Sequence, residues 1–190
     1  MRKEIYQKMT EPFRIDKEMA KAIHKCNKLI TGLMFLLYPV LLLYFLLQRD
    51  VALAKAIIVP LDGFIIVTVF RYLINRPRPY EAFQMEPVIQ KDTKGKSFPS
   101  RHVFSATMIA MTYLLLSPWA PLGWFLLVIA VCLGAVRVIG GIHYISDVVA
   151  GNLLGVLAGV IGYIVFKYIT GRRDFSCEWK HTEIQFDGTS

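Results

Sequence analysis

The chain is poor in cysteine and in charged residues, and both shortages limit what it can be. Its three cysteines, Cys26, Cys132 and Cys177, lie far apart, so they form neither a metal-type spacing nor the disulfide framework of a small secreted fold. Charged residues make up 19% of the 190 residues, whereas hydrophobic residues make up 55%, and the mean hydropathy is +0.46. A soluble domain of this size normally carries fewer apolar residues. The lipid bilayer is therefore the expected solvent.

Acidic residues are the minority among the charges. There are 14 Asp and Glu against 22 Lys and Arg, and the formal net charge is +8. This surplus suits anionic lipid headgroups or a phosphorylated substrate, and we expect no nucleic-acid partner. The basic N-terminus lacks an apolar core followed directly by a small-residue cleavage site, so no removable signal peptide is predicted.

Long apolar runs predict five membrane-spanning helices. A helix needs about 20 residues to cross the hydrocarbon core. The runs also lack the alternation of barrel strands, so the predicted fold class is an all-α, polytopic transmembrane helix bundle. The predicted spans are residues 29–48, 51–75, 102–118, 121–140 and 146–170.

The segment before the first span, residues 1–28, has an amphipathic pattern. Apolar residues recur there at helical spacing, and lysines occupy other faces. We expect an interfacial helix on the membrane surface, with a solvated lead-in or a sixth span as the alternatives. The apolar set is Ile15, Met19, Ile23 and Cys26, and the lysines are Lys17, Lys21, Lys25 and Lys28.

The rest of the chain divides into a transmembrane domain, residues 29–170, and a polar tail, residues 171–190, without a detectable motif. Residues 76–101 form a polar loop on the predicted catalytic side. In the last span Gly151, Gly155 and Gly159 form a smooth stripe that favours close helix packing, and a homo-oligomer through this face is one interpretation. Asp62, near the middle of the second span, suggests either a role or a hydrogen-bonded position at a kink.

Three polar motifs lie at the same end of the predicted spans. In the first, Arg71 and Arg78 are seven residues apart and share a face if the helix continues, although Pro77 and Pro79 end that helix. A basic helix end that reaches toward headgroups is the structural alternative.

The second motif, Ser97-Phe-Pro-Ser-Arg-His102, immediately precedes the third span. It places a hydroxyl and an imidazole beside the free N–H groups of a helix start, which bind anions readily. An ordinary N-cap by Ser97 or Ser100, with a bystander His102, is the alternative.

The third motif places His143 four residues before Asp147 and six after Arg137. In a helix this spacing lets Asp147 hold one ring nitrogen of His143 and fix its tautomer, the arrangement of nucleophile dyads and triads. The pair also suits a helix cap. Each structural alternative explains one motif, but none explains why three arginines, two histidines and a carboxylate border one membrane face.

The three motifs together resemble the type 2 phosphatidic acid phosphatase superfamily, which shares its signature with the vanadium-dependent haloperoxidases. The resembling pattern is Arg71-x6-Arg78-Pro79, Pro99-Ser100-x-His102 and Arg137-x5-His143-x3-Asp147. Among bacterial members the chain is most similar to the small phosphatases of undecaprenyl diphosphate and phosphatidylglycerophosphate.

The resemblance implies a role for each matched residue. His143 attacks phosphorus to give a phosphohistidine, Asp147 orients it, and His102 protonates the leaving group and then activates water. The phosphoryl oxygens are held by the remaining matched groups, and no metal or cofactor is required. These groups are Arg71, Arg78, Arg137, the Ser100 hydroxyl and backbone N–H groups near Arg101.

Three positions depart from the family pattern. Arg71 stands where lysine is usual, which preserves the charge but changes its geometry. Arg101 replaces a frequent glycine, so its side chain is expected to reach the substrate or restrict the entrance. Val136 replaces a serine and removes one hydrogen-bond donor.

The expected substrate is a phosphate monoester or diphosphate of a lipid, with undecaprenyl diphosphate, phosphatidylglycerophosphate and phosphatidic acid as candidates. Two alternatives are a vanadate-dependent haloperoxidase, which five spans disfavour, and a non-catalytic protein that binds anionic lipids.

The side of the membrane is a separate question. With five spans most of the 22 Lys and Arg residues lie on the catalytic side, and the positive-inside rule would place that side in the cytoplasm. The resemblance implies the outer face of the cell membrane, which we favour because several of these arginines would bind phosphate.

Overall fold

The computed structural model of the chain describes the backbone of residues 3–91 and 93–186 and the side chains of these residues as far as Ile169. This part of the chain forms helices and contains no strand, which confirms the all-α fold class. The side chains of the predicted polar tail lie outside the described residues. The helices are α1 (Lys3–Ile15), α2 (Lys17–Leu47), α3 (Ala52–Ile74), α4 (Pro79–Phe83), α5 (Arg101–Leu116), α6 (Ala120–Ile139) and α7 (Ile145–Phe186).

Helix α5 lies at the centre of the bundle and packs against α2, α3, α6 and α7. Its small and hydroxyl residues, including Ala106, Thr107, Ala110 and Thr112, are buried. Such residues let neighbouring helices approach closely inside a membrane. The predicted third span is thus the helix that the others surround.

Four helices of the described chain, α2, α3, α6 and α7, are long and apolar enough to cross a membrane. The 16 residues of α5 rise only about 24 Å, less than the roughly 30 Å of the hydrocarbon core. The multi-pass arrangement is therefore supported by four helices, and five spans stays a prediction.

The N-terminal segment divides at Asp16, which caps α2 through its side chain. Asp16 Oδ1 accepts hydrogen bonds from the backbone N–H groups of Glu18, at 2.8 Å, and Met19, at 3.3 Å. From there α2 continues without a break to Leu47, so residues 17–28 are the first turns of the first apolar helix. The 13 residues of α1 rise about 20 Å, too little for a sixth span. The interfacial position of this segment stays a prediction.

The glycine stripe of α7 packs directly on α5. A Cβ atom at Gly155 would lie 2.7 Å from the Cβ of Thr107, and one at Gly159 would lie 2.9 Å from the Cβ of Met111. This confirms the close helix approach that the stripe predicted. In a single chain this face is covered by α5, and a homo-oligomer through Gly151, Gly155 and Gly159 stays a prediction.

We expect Gly155→Leu to destabilise the bundle because its side chain would have to separate α7 from α5. Overpacking of this kind costs about 1–3 kcal/mol or more. Thermal unfolding in detergent should show a lower midpoint. Gly32→Leu is the matched control, since no atom lies within 4 Å of a Cβ built at Gly32. Equal losses for both variants would contradict the packing described here.

Candidate active site

The predicted site residues converge at one end of the bundle, where four helices end or begin. Arg71 lies in the last turn of α3, Arg137 in the last turn of α6, and Asp147 in the first turn of α7. The other five come from the connecting loops and the start of α5: Arg78, Ser100, Arg101, His102 and His143. All are buried except Arg101 and His102, which are partly buried.

Asp147 is fully buried and is surrounded by donors. Its Oδ1 accepts a hydrogen bond of 2.8 Å from Arg76, and its Oδ2 accepts bonds of 2.5 Å from the Ser97 hydroxyl and 3.0 Å from the Tyr144 backbone N–H. The Nδ1 of His143 lies 3.5 Å from the same Oδ2. The carboxylate is therefore held rigidly beside the imidazole, in the arrangement that its spacing predicted.

His143 is 1% exposed and lies in the loop between α6 and α7. Burial lowers the pKa of His143 to about 4, although the hydrogen bond to Asp147 acts in the opposite direction. The imidazole is therefore neutral at neutral pH. Because Nδ1 faces Asp147, Nε2 is the nitrogen left for chemistry. The 3.5 Å separation is long for a hydrogen bond, and hydrogen bonds between catalytic side chains often tighten when substrate binds.

A polar cavity of about 280 Å³ opens in front of both histidines. Cationic side chains dominate its wall, and no described Asp or Glu side chain lines it. This electrostatic environment favours an anion. The cations are Arg71, Arg78, Lys91, Lys94, Lys96 and Arg101.

The two arginines of the first motif also hold the backbone around the cavity. Arg71 donates to the carbonyl oxygen of Pro99. Arg78 donates to the carbonyl oxygens of Gly95, at 3.1 Å, and Ile142, at 3.2 Å. A guanidinium has five N–H groups, so each arginine keeps donors for a ligand. These contacts join the 76–101 loop to the loop that carries His143.

Two buried polar atoms at the site lack a hydrogen-bond partner within the described chain: the Ser100 hydroxyl and Nε of Arg137. Buried polar groups nearly always have partners, and a bound anion would supply one here. Neither serine of the second motif caps α5 through its side chain, since Ser97 donates to Asp147 and Ser100 makes no cap bond. Ser100 occupies the N-cap position of α5, but side-chain capping does not account for this motif.

Three supporting residues were not assigned roles from the sequence: Arg76, Ser97 and Glu81. Arg76 bonds Asp147 and stacks 4.1 Å from the ring of Tyr144. The carboxylate of Glu81 accepts bonds of 2.8 and 3.0 Å from the Gly95 backbone N–H. The basic run containing Arg76 was visible in the sequence, but nothing distinguished the arginine that faces Asp147 from those that face the cavity.

An apolar cavity of about 550 Å³ lies between α2, α3 and α5 and meets the polar cavity at Arg101 and His102. Its wall includes Phe35, Leu61 and Phe64. The guanidinium of Arg101 lies 5.2 Å from the Phe64 ring, at the boundary between the two cavities. The predicted role of Arg101 at the entrance fits this position.

The remaining polar candidates lie outside this constellation. Asp62 is exposed on α3 and lines neither cavity. In the part of the chain that the structure describes, no three His, Cys, Asp or Glu side chains form a group that could hold a metal ion.

Comparisons with known proteins agree with this architecture. A family model described as the PAP2 superfamily matches residues 51–171. The chain is 34% identical over 84 residues to the bacitracin transport permease protein BcrC of Bacillus licheniformis, a match covering 43% of this chain and 40% of that relative. The chain thus covers less than half of that relative's length.

Two solved structures share the fold. LpxE of Aquifex aeolicus superposes with a TM-score of 0.64 and 23% identity, covering 84% of this chain and 93% of the other. The first transmembrane PAP2 type phosphatidylglycerolphosphate phosphatase from Bacillus subtilis gives a TM-score of 0.67 and 20% identity, covering 87% and 86%.

Proposed function

The chain belongs to the PAP2 superfamily, a family of phosphatases, and on that premise we propose that it is a membrane phosphatase for a lipid phosphate monoester or diphosphate. The observation that carries this proposal is the buried His143–Asp147 pair beside a cationic cavity that shares Arg101 and His102 with an apolar one. A phosphate headgroup fits the first cavity and a hydrocarbon chain fits the second.

The proposed reaction uses His143 as the nucleophile and His102 as the general acid and base. Nε2 of His143 attacks phosphorus, and the bond from phosphorus to the leaving oxygen breaks. The negative charge of the bound phosphate favours the protonated form of His102, which gives its proton to that oxygen. Asp147 stabilises the positive charge on the phosphorylated imidazole. His102 then takes a proton from water, whose oxygen attacks phosphorus. The P–N bond breaks, which releases inorganic phosphate and restores neutral His143.

The phosphoryl oxygens carry the negative charge of the transition state, and positioned donors lower its energy. We assign this task to Arg71, Arg78, Arg137, the Ser100 hydroxyl and the N–H groups at the start of α5. The unpartnered Ser100 hydroxyl and Arg137 Nε support the assignment, because an equatorial oxygen would complete their hydrogen bonding. Every step uses groups of the chain itself.

A phosphate-release assay on the purified protein in liposomes tests this function. The panel contains phosphatidic acid, phosphatidylglycerophosphate, undecaprenyl phosphate and undecaprenyl diphosphate, and each assay is repeated with vanadate and with a chelator. We expect release from at least one lipid, inhibition by vanadate and insensitivity to the chelator. Binding of these lipids without release would favour the non-catalytic alternative. Halide oxidation with vanadate and peroxide would favour the haloperoxidase.

The surplus of cations favours a diphosphate over a monoester. Two of the arginines assigned to one phosphoryl group, Arg71 and Arg78, line the polar cavity, whereas Arg137 is not part of its wall. Four further cations line the cavity: Lys91, Lys94, Lys96 and Arg101. Burial, followed by the nearby arginines, lowers the pKa of Lys91 to about 8. Lys91 is therefore mainly charged at neutral pH and becomes neutral as the pH rises above that value.

Lys91→Met should weaken activity on the diphosphate about tenfold, the loss expected for one charge-assisted hydrogen bond, and affect the monoester less. In the unmodified protein the preference for diphosphate should fall as the pH rises through about 8, because Lys91 loses its proton there. Comparing kcat/KM for both lipids across pH measures this. Lys25→Met, an exposed lysine of α2, is the control. Equal losses on both lipids would contradict the role.

We also propose that the site lies at the outer face of the cell membrane. The resemblance to bacterial phosphatases supports the outer face, and arginines that bind phosphate do not count toward the positive-inside rule. Sealed vesicles of known orientation distinguish the two faces: right-side-out vesicles should hydrolyse added substrate without permeabilisation. Activity only after permeabilisation would place the site inside.

A further inference from the structure

The N-terminal helix contacts the loop of the proposed nucleophile through a single buried tyrosine. Tyr6 of α1 is 0% exposed. Its hydroxyl lies 3.0 Å from the carbonyl oxygen of Val138 and 3.1 Å from that of His143. These two carbonyls bracket the chain segment that leads from the end of α6 to the proposed nucleophile. One side chain, distant in sequence, therefore shares its hydroxyl proton between carbonyls at the two ends of this segment.

The segment needs such a restraint because of its composition. Residues 138–143 include Gly140 and Gly141, and Gly141 adopts a φ of +83°. Adjacent glycines leave a loop many accessible conformations. Within the segment, the N–H groups of Gly140, Gly141 and Ile142 donate to carbonyls of the end of α6. From outside it, Arg78 donates to the carbonyl of Ile142 and the Ile89 N–H donates to that of Gly140. Only Tyr6 bonds the carbonyl of His143 itself among the described residues.

The ring of Tyr6 is held as firmly as its hydroxyl. It lies 5.6 Å from the ring of Phe83 and 5.9 Å from that of Tyr144, and these two rings are 5.9 Å apart, edge to face. Phe83 belongs to α4, whose N-cap is Arg78. The backbone N–H of Tyr144 bonds Asp147. The three rings thus connect α1 to both segments that position the phosphate-binding arginine and the orienting carboxylate.

The Tyr6 hydroxyl can act as a hydrogen-bond donor at all times. Burial raises the pKa of Tyr6, so its proton is retained throughout the usual pH range. Thr10, also buried, donates to the Tyr6 carbonyl at 3.0 Å and stabilises the turn of α1 that presents the ring. None of these atoms lines the polar cavity. Tyr6 therefore acts on the site through the backbone and has no contact with the substrate's position.

We propose that Tyr6 is a positioning residue, through which the N-terminal helix holds the His143 loop in the geometry for attack on phosphorus. This inference rests on the proposed function of His143. Losing the hydroxyl would let the Gly140-Gly141 segment relax. His143 would then spend a smaller fraction of the time with Nδ1 beside Asp147 and Nε2 directed at phosphorus. Because the phosphate-binding groups stay in place, the effect falls on kcat and leaves KM nearly unchanged.

The test compares Tyr6→Phe with Tyr113→Phe in the full-length protein in liposomes. Tyr113 is the matched control, because it is equally buried and donates to a backbone carbonyl, that of Leu37, at 2.8 Å, but lies near the far end of α5. We expect Tyr6→Phe to lower kcat about tenfold, the equivalent of one ordinary hydrogen bond, at constant KM. Tyr113→Phe should lower the unfolding temperature about as much as Tyr6→Phe does, but it should leave kcat unchanged.

A second measurement does not depend on activity. Hydrogen–deuterium exchange of the peptide covering residues 138–144 should accelerate in Tyr6→Phe and remain unchanged in Tyr113→Phe. Equal kcat values in the two variants, or equal exchange, would overturn the positioning role. If the unmodified protein hydrolyses no lipid phosphate but exchange still accelerates in Tyr6→Phe, the proposed function fails while the restraint by Tyr6 stands.

Discussion

His143→Gln should reduce phosphate release by at least about 10⁴-fold, the range seen when a covalent nucleophile is removed. Glutamine is similar in size and keeps a polar group in the pocket, but it cannot form the phosphoryl intermediate. Lipid binding should persist because the arginines remain. The measurement is initial-rate phosphate release from the best lipid of the panel, with unfolding temperature as the check on folding.

The matched control for this variant is His24→Gln, which alters an exposed histidine of α2. It should keep full activity. Rapid quenching of the unmodified protein with radiolabelled substrate should also trap an acid-labile phosphoryl group that His143→Gln does not form. Retained turnover in His143→Gln would transfer the nucleophile's role to another residue, with His102 the first to examine.

Asp147→Asn should lower kcat about 10²- to 10⁴-fold, comparable to the same exchange in a serine protease triad. Asp147 accepts bonds from Arg76, Ser97 and the Tyr144 N–H and lies beside His143 Nδ1. An amide has one acceptor oxygen instead of two, so at least one buried donor loses its partner. The imidazolium formed during attack also loses the opposing negative charge.

The control is Asp62→Asn, because Asp62 is exposed on α3 and lines neither cavity. It makes the same chemical change without touching the site and should leave kcat unaltered. The two variants together also test whether Asp62 has a catalytic role. A loss of activity in Asp62→Asn equal to that in Asp147→Asn would require a second carboxylate in the mechanism.

The acid limb of the pH profile follows from the burial of His143. The imidazole must be neutral to attack, and its pKa of about 4 means that it stays neutral well below the ordinary range of histidine. Protonation of His143 should therefore reduce phosphate release only as the pH falls toward about 4. Binding of the diphosphate should weaken as the pH rises through about 8, because Lys91 then loses its positive charge.

Asp147 and Ser97 illustrate where the sequence was sufficient and where it was not. The spacing from His143 to Asp147 placed the two side chains together, because residues four apart meet near the start of a helix. Ser97 was grouped with the α5 start, but its hydroxyl bonds Asp147, 50 residues further along the chain. The spacing of residues within one motif does not predict a contact between two loops that are distant in sequence.

The lipid solvent, the all-α class and the three motifs could be predicted from the sequence, because apolar run length and helical spacing are local properties. The tertiary structure alone decided which helix is central and that α5 covers the glycine stripe of α7. It also decided that Tyr6 holds the loop of His143, across 137 residues of sequence. Each of these depends on how helices rotate and pack against one another. That choice is made by the whole bundle, which buries small faces and pairs buried polar groups at the same time.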